Sequence, residues 1–363
     1  MTDPAQYNIQ MIPEVALHRW VMECSRRDPK FDGYVGVLDV EKVGSPSFRS
    51  LLLIVRKAIN DALRLETLNA SGGTEHPPYH FDYIEVRSDA KFPYNAIAFQ
   101  HEGSAFIVIT RPFVELLFDL SQRLSRSPLI LELLGIDPPN PGPDSLLLLL
   151  FQLQISFLVS HEYTHHVHRH VSPGISPGTW IEFAQDLTSG SIECQAQELD
   201  ADAYAIYLVL GNFVRGAGRS SALRQLGKQH LESIDADALL LESFFLSLMS
   251  LFCARWPVDL NMASIRAFTH PPAPVRIEYA IRVAKMWCEQ NQSVSESWFG
   301  ARRFQTLFRI ATEAIGGSAP QQWDDHIHFL MSAECSSYNE LLFELFERLR
   351  TGKERADLAE LAP

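Results

Sequence analysis

The chain has 363 residues, 46% of them hydrophobic and 21% charged, with 19 Gly and 21 Pro, a globular balance that excludes collagen-like, disordered and disulfide-scaffold proteins. A chain this long buries roughly three-quarters of its unfolded surface and makes one large domain or two ordinary ones. With 44 acidic against 31 basic residues the net charge is -13, which argues against a nucleic-acid partner, since that needs a cationic surface to displace counterions from phosphate.

Residues 1–12 carry no pattern. Behind Pro13, the helical spacing of Val15, Leu17, Trp20, Val21 and Cys24 predicts a helix over 13–27. Ser45-Pro46 opens a second helix, which Ser71-Gly72-Gly73 ends after about residue 69. Apolar alternation predicts a strand over 80–87. Two apolar runs, 95–100 and 104–110, joined by His101-Glu102-Gly103, predict a β-hairpin. Arg111-Pro112 starts a helix to about residue 125, with Phe113, Leu116, Leu117 and Leu120 on one face.

A Pro/Gly stretch, 135–144, precedes a long apolar helix over 145–170. A second Pro/Gly/Ser-rich segment, 172–190, reads as a loop or flap in which Trp180, Ile181 and Phe183 cover a substrate or anchor the loop to the core. Helices are predicted over 192–214, 235–255, 275–290 after the cluster Pro271-Pro272-Ala273-Pro274, and onward to about residue 350, with a frayed charged tail over 351–363. The expected fold class is α+β, mainly helical, with helical extensions at both ends.

The five cysteines, Cys24, Cys194, Cys253, Cys288 and Cys335, are scattered and contain no C-x-x-C pair. They suit neither a disulfide framework nor a cysteine-based zinc knuckle, and fit reduced thiols in a cytosol-like compartment. The N-terminal sequence lacks the basic and apolar regions of a secretory signal. The two most apolar segments, 146–159 and 238–254, are interrupted by Gln152, Gln154 and Ser156 and by Glu242, and read as buried helices rather than transmembrane spans. A soluble, cytoplasmic protein is expected.

His161-Glu162-Tyr163-Thr164-His165 is an H-E-x-x-H pattern. Residues four apart share one face of a helix, so both imidazoles reach one metal ion while Glu162 sits beside its open coordination position. Neutral imidazole nitrogen is a preferred ligand for Zn²⁺. The ion acidifies a bound water, and a neighbouring carboxylate takes its proton and later delivers it to a leaving amine. The alternative, solvated histidines at a helix end, draws support from His166, His168 and His170, whereas the strongly apolar helix around the motif argues for a rigid, packed site. His166 and His170 have no carboxylate between them and read as surface residues or as support for the site; His168 reads as a neighbour, not a ligand.

A third ligand is required. The metzincin positions, Gly three and His six residues after the second motif histidine, are held here by His168 and Val171. Downstream, on a predicted helix, stands Glu198-x-x-x-Asp202. Glu198 completes a site of two histidines and one glutamate that leaves the fourth position to water. Asp202, one turn on, accepts the remaining N–H of a ligand histidine and fixes its tautomer. Alone this acidic pair reads as a solvated helix face; the H-E-x-x-H motif upstream reverses that reading.

These residues resemble the gluzincin metallopeptidases of the HtpX-like and CAAX prenyl endopeptidase type, whose second motif commonly reads Glu-x-x-Ala-Asp; Ala201-Asp202 match it. Two further landmarks agree in order. Asn95-Ala96-Ile97-Ala98-Phe99, ahead of a second strand and its helix, is similar to the family's Asn-Ala strand. His270-Pro271, six residues before Arg276, is similar to its His-Pro element. The resemblance covers about residues 50–290. It implies a zincin-like catalytic domain at 46–290 with a small antiparallel sheet, flanked by helical extensions at 1–45 and 291–350 and a flexible tail at 351–363.

It further implies that His270 approaches the substrate carbonyl oxygen and that Arg276 braces that segment or the acidic motif; alone, His270 reads as a cap in a Pro-rich turn. Family members of this type are often membrane-embedded, and the terminal extensions match nothing in the family, so the prenyl substrate class is not carried over. The expected activity is that of a soluble zinc metalloendopeptidase with one Zn²⁺ per chain on His161, His165 and Glu198, Glu162 as general base and acid, and a protein or peptide substrate. Asn95, Ala96, Ile97 and Ala98 would offer an edge strand to which an extended substrate adds. The alternatives are a metal-dependent sensor or defence protein activated by a regulatory partner protein, and an aminopeptidase, for which no acidic site for the substrate amine is evident. Cys194, four residues before Glu198, reads as a buried helix-start thiol rather than a redox switch.

Overall fold

The computed structural model describes residues 13–70, 77–136, 143–168, 170, 191–254, 262–266, 268–316, 324 and 328–352. The expected flap at 172–190, with Trp180, Ile181 and Phe183, lies outside the described residues, as do 1–12 and the tail from 353 onward. The chain forms two compact units, one reaching to Phe113 and the other starting at Val114.

The first unit is a four-stranded sheet with two helices. Its elements are α1 (Pro13–Arg27), β1 (Tyr34–Val37), α2 (Pro46–Ala70), β2 (Tyr79–Val86), β3 (Ala96–His101) and β4 (Ser104–Thr110). The strand order is β1-β2-β4-β3. The sheet is mixed, which corrects the antiparallel sheet expected: β1 and β3 run against their neighbours, but β2 and β4 run parallel. The cause is the hairpin, whose second strand, not its first, docks against β2, so the loop over 87–95 carries the chain past one strand position before β3 begins.

As a central strand β4 is covered on both faces, and its unbroken run Ala105-Phe106-Ile107-Val108-Ile109 is buried throughout. The hairpin turns on Glu102 and Gly103, at φ 50° and 78°, the left-handed pair that a two-residue turn between His101 and Ser104 requires. On one face of the sheet, α1 buries Leu17, Trp20 and Val21 against Ile84, Val86, Ile97, Phe99, Phe106 and Val108. Trp20 stacks on Phe99 with ring centroids 3.5 Å apart. β1 carries no local sequence signal: it has four residues, an exposed Val35, and an irregular register between Tyr34 and Gly36.

The second unit is helical. After α3 (Arg111–Arg126), which begins in the first unit, come α4 (Pro128–Leu133), α5 (Pro143–Val167), α6 (Ile192–Leu210), α7 (Arg219–Gln225), α8 (Ser233–Cys253), α9 (Met262–Ile265), α10 (Ala273–Gln290), α11 (Ala301–Ala314) and α12 (Ala333–Gly352). α5 packs on α6 and α8, α6 also on α10 and α12, and α8 on α11. Being largely enclosed by other helices, α5 and α8 need little polar face, which is why neither shows an amphipathic stripe. Both are long and apolar enough to cross a membrane by length and composition, and 67% and 89% of their apolar windows are buried inside the protein.

The polar interruptions in these helices have partners. Gln154 of α5 accepts from Ser121 Oγ of α3 at 2.9 Å and donates to Ser250 Oγ of α8 at 3.0 Å. Glu242 of α8 accepts from Arg303 of α11 at 3.0 Å. The buried Gln154 network fixes the register of α3, α5 and α8, and the part-exposed Glu242–Arg303 pair ties α8 to α11. α6 starts on Ser191, whose hydroxyl accepts the amide of Cys194 at 3.2 Å.

Two glycines of the first unit separate backbone strain from steric fit. Gly103, at φ +78°, has open space where a Cβ would stand, whereas at Gly33, φ +92°, a Cβ would stand 2.6 Å from that of Ala90. Gly103→Ala is expected to cost about 1–2 kcal/mol through the left-handed backbone alone. Gly33→Ala should cost more, because Ala90 must also shift. Urea unfolding midpoints check the order, and equal losses would show that the approach to Ala90 relaxes freely.

Candidate metal centre

The last two turns of α5 present His161 and His165, and α6, packed against them, presents Glu198. His161 Nε2 lies 3.1 Å from His165 Nε2 and 3.1 Å from Glu198 Oε2, and His165 Nε2 lies 3.5 Å from Glu198 Oε1. All three side chains, and that of Glu162 beside them, are 0% exposed. Ligands about 2.0–2.2 Å from a tetrahedral zinc ion stand roughly 3.3 Å from one another. The separations are of that order, the two histidines facing different oxygens of the one carboxylate, and the donors, two imidazoles and a carboxylate, fit the group that the sequence implies. Burial opposes ionisation of Glu198, but in the metal-free site positive charge on His270 and His165 and hydrogen bonds donated by His161 and His270 outweigh it and hold its carboxyl well below the usual range.

His161 Nδ1 faces Asp202 Oδ1 at 2.9 Å. The far side of Asp202 is gripped by Arg276, which donates from Nε to Oδ2 at 2.8 Å and from Nη2 to Oδ1 at 2.7 Å. Its guanidinium lies over the Phe252 ring, 4.7 Å from the centroid. Of the two braces the sequence left open for Arg276, the structure thus has the acidic motif. With Nε2 turned toward the ligand triangle, the His161 proton is assigned to Nδ1, from which it is donated to Asp202.

His270 Nε2 lies 3.0 Å from Glu198 Oε2, the same oxygen that faces His161, and His270 Nδ1 lies 2.8 Å from Thr269 Oγ1. The chain leading to His270 is pinned from α6. Gln195 Nε2 donates to the carbonyls of Ile265 and Phe268, both at 2.7 Å, and the Gln195 carbonyl oxygen accepts from the Tyr338 hydroxyl of α12.

Asn95, Ala96, Ile97 and Ala98 lie in the first unit, and all four are buried. Asn95 stands just before β3 and ties the sheet together: its amide donates to Thr110 Oγ1 at 3.0 Å and its Nδ2 to the Tyr34 hydroxyl at 3.0 Å. Ala96, Ile97 and Ala98 pair with Ile109, Val108 and Ile107 of β4, on a strand that forms one margin of the sheet.

The structure joins the histidines beyond the motif to a residue that the sequence did not single out, Asp200. His170 Nδ1 lies 3.0 Å from His165 Nδ1, His170 Nε2 lies 3.4 Å from Asp200 Oδ2, and His168 Nδ1 is hydrogen-bonded to that same oxygen. His166, read as a surface or supporting residue, is buried. The helix expected over 145–170 ends at Val167, so the ring of His170 arrives on a turn rather than at helical spacing from His166. Gln195 and Tyr338 carried no local signal either; they meet across 143 residues.

A family model described as Peptidase U49 matches residues 137–297, less than half of the chain. That stretch contains His161, Glu162, His165, Glu198, Asp202, His270 and Arg276. The similarity supports a peptidase. No curated protein and no solved structure matches the chain.

The two supports of the site should differ in energetic weight. Arg276→Met leaves the Asp202 charge buried without its partner and is expected to cost about 3–5 kcal/mol. Tyr338→Phe removes one buried hydrogen bond and is expected to cost about 0.5–1.5 kcal/mol. Thermal unfolding of the two variants measures the difference; similar small losses would mean that Asp202 does not depend on Arg276 for its charge.

Proposed function

We propose that this chain is a zinc-dependent endopeptidase, with His161, His165 and Glu198 holding the ion and Glu162 moving the proton. The observation that carries the reading is the buried cluster of two Nε2 atoms and one carboxylate, with nitrogen–nitrogen and nitrogen–oxygen separations of 3.1, 3.1 and 3.5 Å, built on an H-E-x-x-H helix inside a stretch similar to a peptidase family. Zinc bound there would supply a Lewis acid that polarises a peptide carbonyl and acidifies water.

The protein's own groups do the rest. Glu162, buried next to His161, accepts a proton from the attacking water and returns it to the amine as the peptide bond breaks. His270, whose Nε2 reaches Glu198 at 3.0 Å, donates a hydrogen bond to the oxyanion that forms on the substrate carbonyl. Asp202, held in place by Arg276, takes the Nδ1–H of His161 and keeps the Nε2 lone pair directed at the ligand position.

This assignment of roles is that of the HtpX-like and CAAX prenyl endopeptidase type, and the pairing of Arg276 with Asp202 supports the kinship. The substrate is a protein or peptide. A cytoplasmic location accords with five free cysteines. Burial pushes the Cys24 and Cys253 thiols up to about 12, so at neutral pH both stay protonated and inert.

The reading is tested by comparing new protein N-termini in a cytosolic extract treated with zinc-loaded wild-type protein or with Glu162→Gln. Wild type is expected to create termini that the variant produces roughly 10²–10⁴-fold more slowly. Both should bind one zinc ion per chain, and Glu198→Ala should lose it. Cleavage by Glu162→Gln at the wild-type rate would remove Glu162 from the mechanism. No cleavage by wild type with zinc bound would make the chain a binding protein.

A further inference from the structure

The two candidate ligand histidines are supported in different ways. His161 turns its outer nitrogen to a carboxylate, Asp202, at 2.9 Å, whereas His165 turns its outer nitrogen to another imidazole, with His170 Nδ1 at 3.0 Å. Two ring nitrogens that close need one proton between them: one donates and the other accepts.

The number of protons on the two rings sets the direction of this hydrogen bond. If the bare Nε2 of His165 is to face the ligand position, the single proton of this neutral ring sits on Nδ1 and is donated to His170 Nδ1. His170 must then carry its own proton on Nε2, which faces Asp200 Oδ2 at 3.4 Å. The same oxygen is hydrogen-bonded to His168 Nδ1, and the His168 ring packs against Tyr204 of α6 with centroids 4.9 Å apart. Every donor along this path meets an acceptor.

The backbone is shaped to bring these rings together. The His168 amide donates to the Thr164 carbonyl at 2.8 Å, and the His170 amide donates to the His165 carbonyl at 2.9 Å. The second bond is the six-residue closure of a helix end, and it turns the chain back so that the ring of His170 lies beside that of His165, centroids 5.1 Å apart. Asp200 comes from α6, between Glu198 and Asp202.

His168, His170 and Asp200 also have donor atoms close enough together to hold an ion of their own. The proton count argues against that use. A metal on His170 Nε2 needs that nitrogen bare, which puts the His170 proton on Nδ1, aimed at His165 Nδ1. His165 would then carry its proton on Nε2 and could not serve in the triangle with His161 and Glu198. As neutral rings, the two histidines cannot ligate at both places.

We therefore propose that His170 and Asp200, steadied by His168, are positioning residues that form a carboxylate–imidazole–imidazole relay, fixing the tautomer and orientation of His165 and thereby the metal affinity of the site. This rests on the metal-centre reading above. The relay makes His165 a more basic ligand, as Asp202 does for His161, and each α5 histidine is then answered by one aspartate of α6.

The test is zinc affinity of the full chain, measured by competition with a chelating dye, together with the melting temperature of each metal-free variant. His170→Leu keeps the bulk of the ring but has no acceptor, and Asp200→Leu removes the end of the relay. Each is expected to weaken zinc binding roughly 10–100-fold. His170→Gln, whose amide oxygen can accept from His165 Nδ1–H, should bind zinc more tightly than His170→Leu, a difference that a purely packing role would not produce. The comparison is drawn between variants whose metal-free melting temperatures agree.

Wild type that binds no zinc would overturn the metal centre and the relay together. One zinc per chain in wild type, lost in Glu198→Ala but held as tightly by His170→Leu and Asp200→Leu, would overturn the relay alone. Two zinc ions per chain, falling to one in Asp200→Leu, would place a second ion in the cluster and also overturn the relay.

Discussion

Two imidazole nitrogens and a carboxylate stand within 3.5 Å of one another in the buried interface between α5 and α6, and the second unit is arranged around that crowding. Bare nitrogens facing each other repel, and a buried carboxylate is costly without positive charge nearby. The helices hold them together only because each ring commits its other nitrogen outward, His161 to Asp202 and His165 to His170. Asp202 in turn needs Arg276, since a buried carboxylate that accepts one imidazole N–H still carries a full charge. The polar groups thus extend in layers away from the triangle, each present because the one inside it would otherwise be left unsatisfied.

This arrangement explains an oddity of α6. Gln195, Glu198 and Asp202 follow helical spacing, so they share one face, and all three are buried. An amphipathic helix buries its apolar stripe, and this one also buries a polar stripe, which requires a partner for every group on it. The partners come from α5, from α10 through Arg276, from the segment that ends in His270, and from α12 through Tyr338. The surrounding rigidity comes from α5 and α8, which are apolar almost all round and locked in register by the Gln154 network.

Much of the site was legible because helices repeat locally. H-E-x-x-H puts two histidines on one face whatever the rest of the chain does, and Glu198 and Asp202, also four apart, are bound to face the same way. The hairpin was legible for a similar reason, since Glu102-Gly103 between apolar runs admits one tight turn. What stayed hidden depends on distant pairing. Which hairpin strand docks on β2 is decided by the whole sheet, so the parallel β2–β4 pair could not be read from alternation. His170 lies past the end of α5, where helical spacing stops, so its approach to His165 could not be read from that spacing.

The C-terminal region shows how far such distant pairing reaches. His270 stands after a helix of four residues, a segment too short to fix its own side chain within a few tenths of an ångström of a working geometry. Gln195 supplies the missing constraint by clamping the carbonyls of Ile265 and Phe268, and an amide can do so only if its oxygen is also satisfied in that buried place. Tyr338 of α12 satisfies it. Because Gln195 lies one turn before Glu198 on the same helix, a single element sets both where the carboxylate points and where His270 meets it. The helix that read as an extension is thereby part of the same construction, joined to the candidate metal centre through one amide side chain.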